Sequence, residues 1–179
     1  VTLAPDDLEV DCAVLGEGER AVVEIAQLVA SGRSLPRIWK RSNPLVLDDL
    51  PLPDREIFRV DAYHRDHLPH GRRYASMVTS RGCRHRCAYC SAPALWGKGH
   101  RRCSPERVVQ EFALLRQQHA VDGVLIEDDL FNQDRDHVAG VADALIRAEL
   151  GMTWELLNGV RPEYLDASLV KLMARSGLT

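Results

Sequence analysis

Apolar residues along the chain fall into two patterns, short continuous runs and stripes spaced three and four apart, and their order predicts strands followed by helices. Cys12-Ala13-Val14-Leu15 is the first run, followed by Gly16-Glu17-Gly18-Glu19. A helix comes next, with Val22, Ile25, Leu28 and Val29 on one face and Gly32 placed to end it. Residues 33–73 hold five of the nine prolines and little periodicity, which predicts an extended connector. From Tyr74 the alternation resumes. Tyr74–Thr79 reads as a strand, and Ser104-Pro105-Glu106 as a helix start with Ser as N-cap and Pro at the first helical position. That helix runs toward His119 with Val108, Val109, Phe112 and Leu115 inward. Val124-Leu125-Ile126 suits a buried parallel strand. A helix near Asp136–Leu150 buries Val138, Val141, Leu145 and Ile146, Met152–Leu157 is a third strand, and Asp166 caps a helix bearing Leu169, Val170, Leu172 and Met173.

Strand and helix repeated three times imply an α/β fold with a parallel sheet and right-handed crossovers. The patterns divide the chain into 1–32, one β-loop-α unit too small to be a domain alone, the Pro-rich linker 33–73, and 74–179. Three strands leave a long open edge, which stable proteins avoid. Further strands are therefore expected after Thr179, and a chain that begins at Val1 reads as a fragment cut at both ends.

Composition narrows the function class. With 179 residues, 45% hydrophobic and 27% charged, the chain is neither disordered, collagenous nor a coiled coil. No run approaches the roughly 18 apolar residues of a membrane span. A net charge of −3 argues against a dedicated nucleic-acid binder. Within that acidic total, Arg72 to Arg102 holds eight Lys/Arg and no Asp or Glu. This stretch is either a basic surround for a negatively charged group, a site for a nucleic-acid substrate, or a solvated loop.

Cysteine placement changes the picture most. Cys83, Cys87 and Cys90 crowd into eight residues, while Cys12 and Cys103 stand apart. An odd, clustered count makes a poor disulfide framework and points to metal binding in a reducing compartment, the cytoplasm. The cluster lies in the 24-residue connection Arg81–Ser104, where ~2–6 residues are usual. Spacings of four and three let one tight loop gather three thiolates around a single centre. Zinc would need a fourth ligand, for which Cys103, His85 or His100 is available, but zinc ligands usually come as two separated pairs. A cubane iron–sulfur cluster held by three cysteines leaves one iron open for a substrate or cofactor. Cys103 otherwise reads as a spare thiol and Cys12 as a buried strand residue. His64, His67 and His70 offer a second, weaker metal set, with a solvated loop the better reading of their Pro-rich segment.

Cys-x3-Cys-x2-Cys with an aromatic residue before the last Cys, led in by Thr79-Ser80-Arg81-Gly82 directly after a strand, resembles the signature of the radical S-adenosylmethionine superfamily. The resemblance continues in Arg102-Cys103-Ser104-Pro105-Glu106-Arg107-Val108-Val109, and in Gly123-Val124-Leu125-Ile126-Glu127-Asp128-Asp129-Leu130-Phe131. There the chain carries Asp128-Asp129 where many members have Gly-Gly-Glu, as in the branch with cobalamin-binding domains. Asn158-Gly159-Val160-Arg161-Pro162-Glu163 resembles the Arg-containing loop of that branch. Leu15-Gly16-Glu17-Gly18-Glu19 resembles the last β/α unit of its cobalamin-binding domain, although Gly16 and Gly18 are also what any sharp turn after a strand requires. Leu47-Asp48-Asp49-Leu50-Pro51-Leu52-Pro53-Asp54-Arg55 resembles the linker that follows.

The resemblance implies the C-terminal end of a Rossmann-like cobalamin-binding domain in 1–32, a linker in 33–73, and the N-terminal half of a radical S-adenosylmethionine core, a partial parallel (β/α) barrel, in 74–179. It makes Cys83, Cys87 and Cys90 ligands of a [4Fe-4S] cluster whose fourth iron chelates S-adenosylmethionine, which a reduced cluster cleaves to methionine and a 5′-deoxyadenosyl radical. Tyr89 would lie beside the adenine, or be an ordinary packed aromatic. Asp128 or Asp129 would accept from the cofactor's ammonium group, or merely cap the next turn. Arg161 would pair with a carboxylate or phosphate of cofactor or substrate, or form a surface salt bridge. The implied reaction modifies an unactivated carbon of a small molecule, often by methyl transfer, with electrons from a flavodoxin or ferredoxin. Cobalamin stays open, because the loop that usually carries its coordinating histidine would precede Val1. The alternatives are a methylthiotransferase acting on RNA or protein, which a second upstream cysteine cluster would favour, and a zinc-stabilised binding module.

Overall fold

A computed structural model of the chain describes residues 9–40, 44–57, 72–97 and 99–179. His64, His67 and His70 lie outside the described residues. The chain divides into two compact units, Val1–Leu50 and Pro51–Thr179.

In the first unit, strand β1 (Ala13–Leu15) is followed by helix α1 (Glu19–Ala30) and strand β2 (Ile38–Lys40). β2 pairs in parallel with β1, Ala13 opposite Ile38. The β-loop-α reading therefore extends to β-α-β, and the unit reaches into the stretch expected as connector. Gly16 takes φ 103°, the left-handed region open to glycine, where the chain leaves β1. The Glu17 carboxylate accepts from the Leu45 backbone N–H at 3.0 Å, and Leu45 and Leu47 are buried. The expected inward face of α1 is only partly covered: Ile25 and Leu28 are half-buried, Val22 is 61% exposed and Val29 60%, while Ala21 is buried. Two strands of three residues are too narrow a sheet to cover a full helical stripe. Cys12, expected inside a strand, precedes β1 and is half-buried.

The second unit is built on β3 (Tyr74–Met77), β6 (Gly123–Ile126) and β7 (Thr153–Leu156), a parallel sheet in the order β3-β6-β7. Ala75, Val124 and Trp154 lie in register across it, as do Met77, Ile126 and Leu156. Between β3 and β6 the chain forms the two-residue strand β4 (Ser80–Arg81), helix α2 (Ala92–Trp96), strand β5 (Arg101–Arg102) and helix α3 (Pro105–His119). α4 (Arg135–Ala148) joins β6 to β7, and α5 (Ala167–Arg175) follows β7. Leu178 then bridges in parallel to Trp154, extending the same order.

The helix starts follow from their caps. Ser104 Oγ accepts from Arg107 N–H with Pro105 next in line, Asp134 accepts from His137 N–H, and Asp166 from Leu169 N–H. Phe112 and Leu115 of α3, Val138 and Val141 of α4, and Leu169 and Met173 of α5 form one core with Val124, Ile126 and Trp154 of the sheet. Val170, expected on the buried face of α5, is 45% exposed, because Leu169 and Met173 at i and i+4 already fill that stripe.

Trp154 anchors this core. It is buried, lies edge-on to Phe131 at 5.6 Å between ring centroids, and donates its indole N–H to the Ser176 carbonyl at 3.2 Å. Trp154→Ala is expected to destabilise the unit by about 3–5 kcal/mol, read as a shift in urea unfolding.

Candidate metal centre

Three loops leave the carboxyl ends of β3, β6 and β7, and they meet. The first carries the cysteines. Its base is closed by antiparallel pairing of β4 with β5, Ser80 opposite Arg102, and by a Cys103 N–H to Thr79 carbonyl bond of 2.8 Å. Gly82 turns the chain into the motif at φ 90°, where any Cβ would collide with the Gly99 carbonyl oxygen. All three cysteines are unbridged, Cys83 and Cys87 half-buried and Cys90 exposed, with a turn closed by Cys90 N–H to Cys87 carbonyl at 3.0 Å.

Among the described residues no three His, Cys, Asp or Glu side chains are gathered closely enough to hold a metal ion. The spacing lets one loop carry the three thiols, and a shared cation is what gathers them, since thiols do not attract one another. The donor set suits an iron–sulfur cluster, with three unbridged thiols on eight residues of irregular loop whose side chains can turn about χ1. The fourth-ligand candidates for zinc fare differently. Cys103 packs against the hydrophobic core, and His85 shares a 3.1 Å hydrogen bond with Tyr164 Oη. Both ring nitrogens of His100 are buried without a partner.

The loop after β6 grips the base of the cysteine loop. Asp128 is 2% exposed and accepts from Thr79 N–H, Thr79 Oγ1 and Ser80 Oγ, each at 2.6 Å. Burial pushes its carboxyl above the ordinary range, against the pull of these hydrogen bonds. Both of its oxygens are engaged, so Asp128 ties two strand ends together rather than reaching for a cofactor. Asp129 is exposed and accepts from Gly82 N–H at 3.0 Å through one oxygen. Gln133, which no sequence pattern singles out, bonds to the backbone on both sides of Cys83.

The loop after β7 approaches the tip. Asn158 donates to the Glu127 and Asp128 carbonyls, and buried Asn132 holds Arg161 by its backbone, donating to its carbonyl at 2.8 Å and accepting from its N–H at 3.1 Å. The Arg161 guanidinium reaches Cys87 Sγ at 3.7 Å and Glu163 Oε1 at 2.7 Å. The Arg161 bond holds the Glu163 carboxyl below its ordinary range. Tyr89 is 92% exposed, which overturns its reading as a packed aromatic.

Beside this convergence, Arg84 and Arg102 both pair with Asp134, so part of the basic stretch is neutralised. The imidazoles of His100 and His137 are pushed down to about 4, first by burial, then by Arg84 for His100 and by Arg102 for His137.

No protein-family model matches the chain. A cytidylyl-2-hydroxyethylphosphonate methyltransferase of Streptomyces wedmorensis is 33% identical over 155 residues, covering 82% of this chain and 28% of its own length. An uncharacterized methyltransferase of Pyrococcus horikoshii is 28% identical over 182 residues, covering 94% of this chain and 38% of that protein. Among solved structures, the radical S-adenosylmethionine methyltransferase TsrM from Kitasatospora setae, with cobalamin and a [4Fe-4S] cluster bound, superposes over 92% of this chain and 36% of its own. Its TM-score is 0.63 at 18% identity. The chain shares the fold of that radical S-adenosylmethionine methyltransferase and is similar over most of its length to two methyltransferases. Its α/β architecture with parallel strands is that of the superfamily member it superposes on, and the chain spans about a third of the length of these proteins. The superfamily motif marks the cysteines in sequence. Gln133, which fixes the backbone on both sides of Cys83, carries no such mark.

Two outcomes follow. Asp128→Ala strips the acceptor from buried donors and is expected to cost about 2–4 kcal/mol in urea unfolding. For the histidines, the unfolded chain takes up protons below its ordinary value of 6.5, while the folded protein resists until about 4. Stability should therefore fall as pH drops from 6.5 to 4, and His137→Gln should flatten that slope in urea midpoints measured across the window.

Proposed function

We propose that this chain is part of a radical S-adenosylmethionine enzyme in which Cys83, Cys87 and Cys90 hold three irons of a [4Fe-4S] cluster and leave the fourth to S-adenosylmethionine. The observation that carries the reading is the convergence on the cysteine loop: Asp128, Asp129 and Gln133 hold its base while Arg161 and Tyr164 reach its tip. The strands supply a rigid platform, and the long excursion beyond them supplies ligands that can adjust to a centre. When bound there, a reduced cluster supplies the electron that cleaves S-adenosylmethionine, the chemistry being the cofactor's own.

The chain's residues take the following parts. Arg161 sets positive charge and an N–H donor against the Cys87 sulfur. Asp129, exposed and with one oxygen beyond its bond to Gly82, offers an acceptor to an ammonium group such as that of S-adenosylmethionine. Asp128 keeps the strand ends in register. Tyr89, fully presented beside Cys90, offers a face on which an adenine can stack.

In this reading residues 74–179 are the first half of a (β/α) barrel, supported by the sheet order β3-β6-β7 and its continuation at Leu178. Residues 1–32 are the end of a Rossmann-like cobalamin-binding domain, supported by the parallel β1-α1-β2 unit that extends past them, and 33–73 include the linker. The reaction is cobalamin-assisted methylation of an unactivated carbon in a small molecule, with a flavodoxin or ferredoxin as electron donor and the cytoplasm as the compartment that keeps the thiols reduced. Both curated relatives described above are methyltransferases, which favours methyl over methylthio transfer. Among the described residues no helix is long and apolar enough to cross a membrane.

The test is anaerobic reconstitution of the full-length protein with iron and sulfide. The expected result is a broad brown absorbance that is lost in the Cys83→Ala/Cys87→Ala/Cys90→Ala variant, and release of 5′-deoxyadenosine and methionine from S-adenosylmethionine on reduction. A colourless protein that retains one zinc would overturn the reading in favour of a binding module.

A further inference from the structure

We infer that Gln133 is a positioning residue for Cys83, its side-chain amide fixing where that one sulfur sits. The role rests on the proposal that Cys83 binds iron, and the geometry behind it stands by itself. Gln133 is 5% exposed, yet both ends of its amide are used. Oε1 accepts from Arg84 N–H at 3.0 Å, and Nε2 donates to the Gly82 carbonyl at 2.9 Å and to the Leu130 carbonyl at 3.1 Å. An amide that bonds to the carbonyl before a residue and the N–H after it reproduces the pairing a neighbouring strand would offer. Cys83 is thus held as if in a sheet, at a point where the chain has already left β4.

Residue chemistry makes the choice specific. Glutamine presents a donor and an acceptor at the end of two methylenes; asparagine is one methylene shorter, and a glutamate carboxylate has no donor for the two carbonyls. Asp129 adds a third tie through Gly82 N–H, and Gly82 itself can be no other residue without striking Gly99. The other two thiols are held differently. Cys87 and Cys90 lie on a turn of their own, with the Arg161 guanidinium against Cys87 Sγ. The loop therefore pairs one sulfur on a fixed backbone with two on an adjustable segment, and Gln133 makes the difference.

The experiment compares wild type, Gln133→Met, Gln133→Glu, Cys83→Ala and the Cys83→Ala/Gln133→Met double variant as full-length proteins. In the metal-free protein, hydrogen exchange at the Arg84 amide should speed up by about tenfold or more in Gln133→Met, whereas Gln133→Glu, which keeps the acceptor, should retain protection. After anaerobic reconstitution, Gln133→Met should retain less iron per chain and give a broadened or shifted EPR signal on reduction. In the Cys83→Ala background the same substitution should lower iron no further, since it acts through Cys83. Wild-type exchange at Arg84 in Gln133→Met overturns the inference, as do wild-type iron and EPR, or equal iron losses with and without Cys83. Should Gln133→Met fail to fold, Gln133→Glu decides: protected Arg84 with reduced iron retention supports the role, and wild-type iron with a wild-type EPR signal overturns it. A wild-type protein that retains no iron sinks the functional reading and this role with it, a result distinct from a wild type that loads normally beside a variant that does so equally well.

Discussion

A carboxylate taken out of water must be surrounded by donors, and in this molecule that requirement falls on Asp128. Its two oxygens draw in the Thr79 N–H and the hydroxyls of Thr79 and Ser80, so the point where the chain leaves β3 is bound to the point where it leaves β6. An unpaired buried charge is expensive enough that these three contacts act as one unit. The base of the cysteine loop inherits its position from that unit. Gly82 and Gln133 carry the constraint one residue further, to Cys83, and there the ordered pairing stops. Beyond it the loop folds back through α2 and returns at β5, leaving Cys87 and Cys90 on the part least bound by the sheet.

Charge is arranged on the same plan. Asp134 caps α4 and pairs with both Arg84 and Arg102, which ties the basic loop to a helix start and removes part of its excess charge. Arg161 is brought from the third loop by Asn132, whose amide holds its backbone from both sides. One guanidinium stands against a cysteine sulfur, and beside Arg84, Arg102 and Asp134 two imidazoles are kept neutral first by burial. A site with thiolate ligands is served by positive charge set against one of its sulfurs.

Much of this could be read from residue order. Ser104-Pro105 and Asp166 announced their helices because capping chemistry is local, and the run at Val124 announced a strand because both faces of β6 are buried. The cysteine motif was legible for the same reason, since its meaning lies in spacing. What could not be read is what depends on distant partners. β2 is three residues between Pro36 and a basic segment, and only its pairing with β1 makes it a strand. Val22 and Val29 have the period of a buried face, but period does not reveal whether a sheet is wide enough to cover it. Asp128 and Asp129 are adjacent and identical in kind; one proved an internal tie and the other an exposed acceptor, a split set by which side of the strand end each side chain leaves. Gln133 gave no signal at all, because a glutamine that replaces a missing strand resembles any other glutamine until Cys83 is seen beside it.

The central claim is that three sulfurs from one loop leave a single metal corner vacant for a sulfonium cofactor. Mössbauer spectra of the full-length protein loaded with 57Fe, recorded with and without S-adenosylmethionine, test it most directly. The account predicts four irons per cluster, one of which changes its isomer shift and quadrupole splitting when S-adenosylmethionine is added while three do not. Four irons that stay unchanged on addition would contradict it.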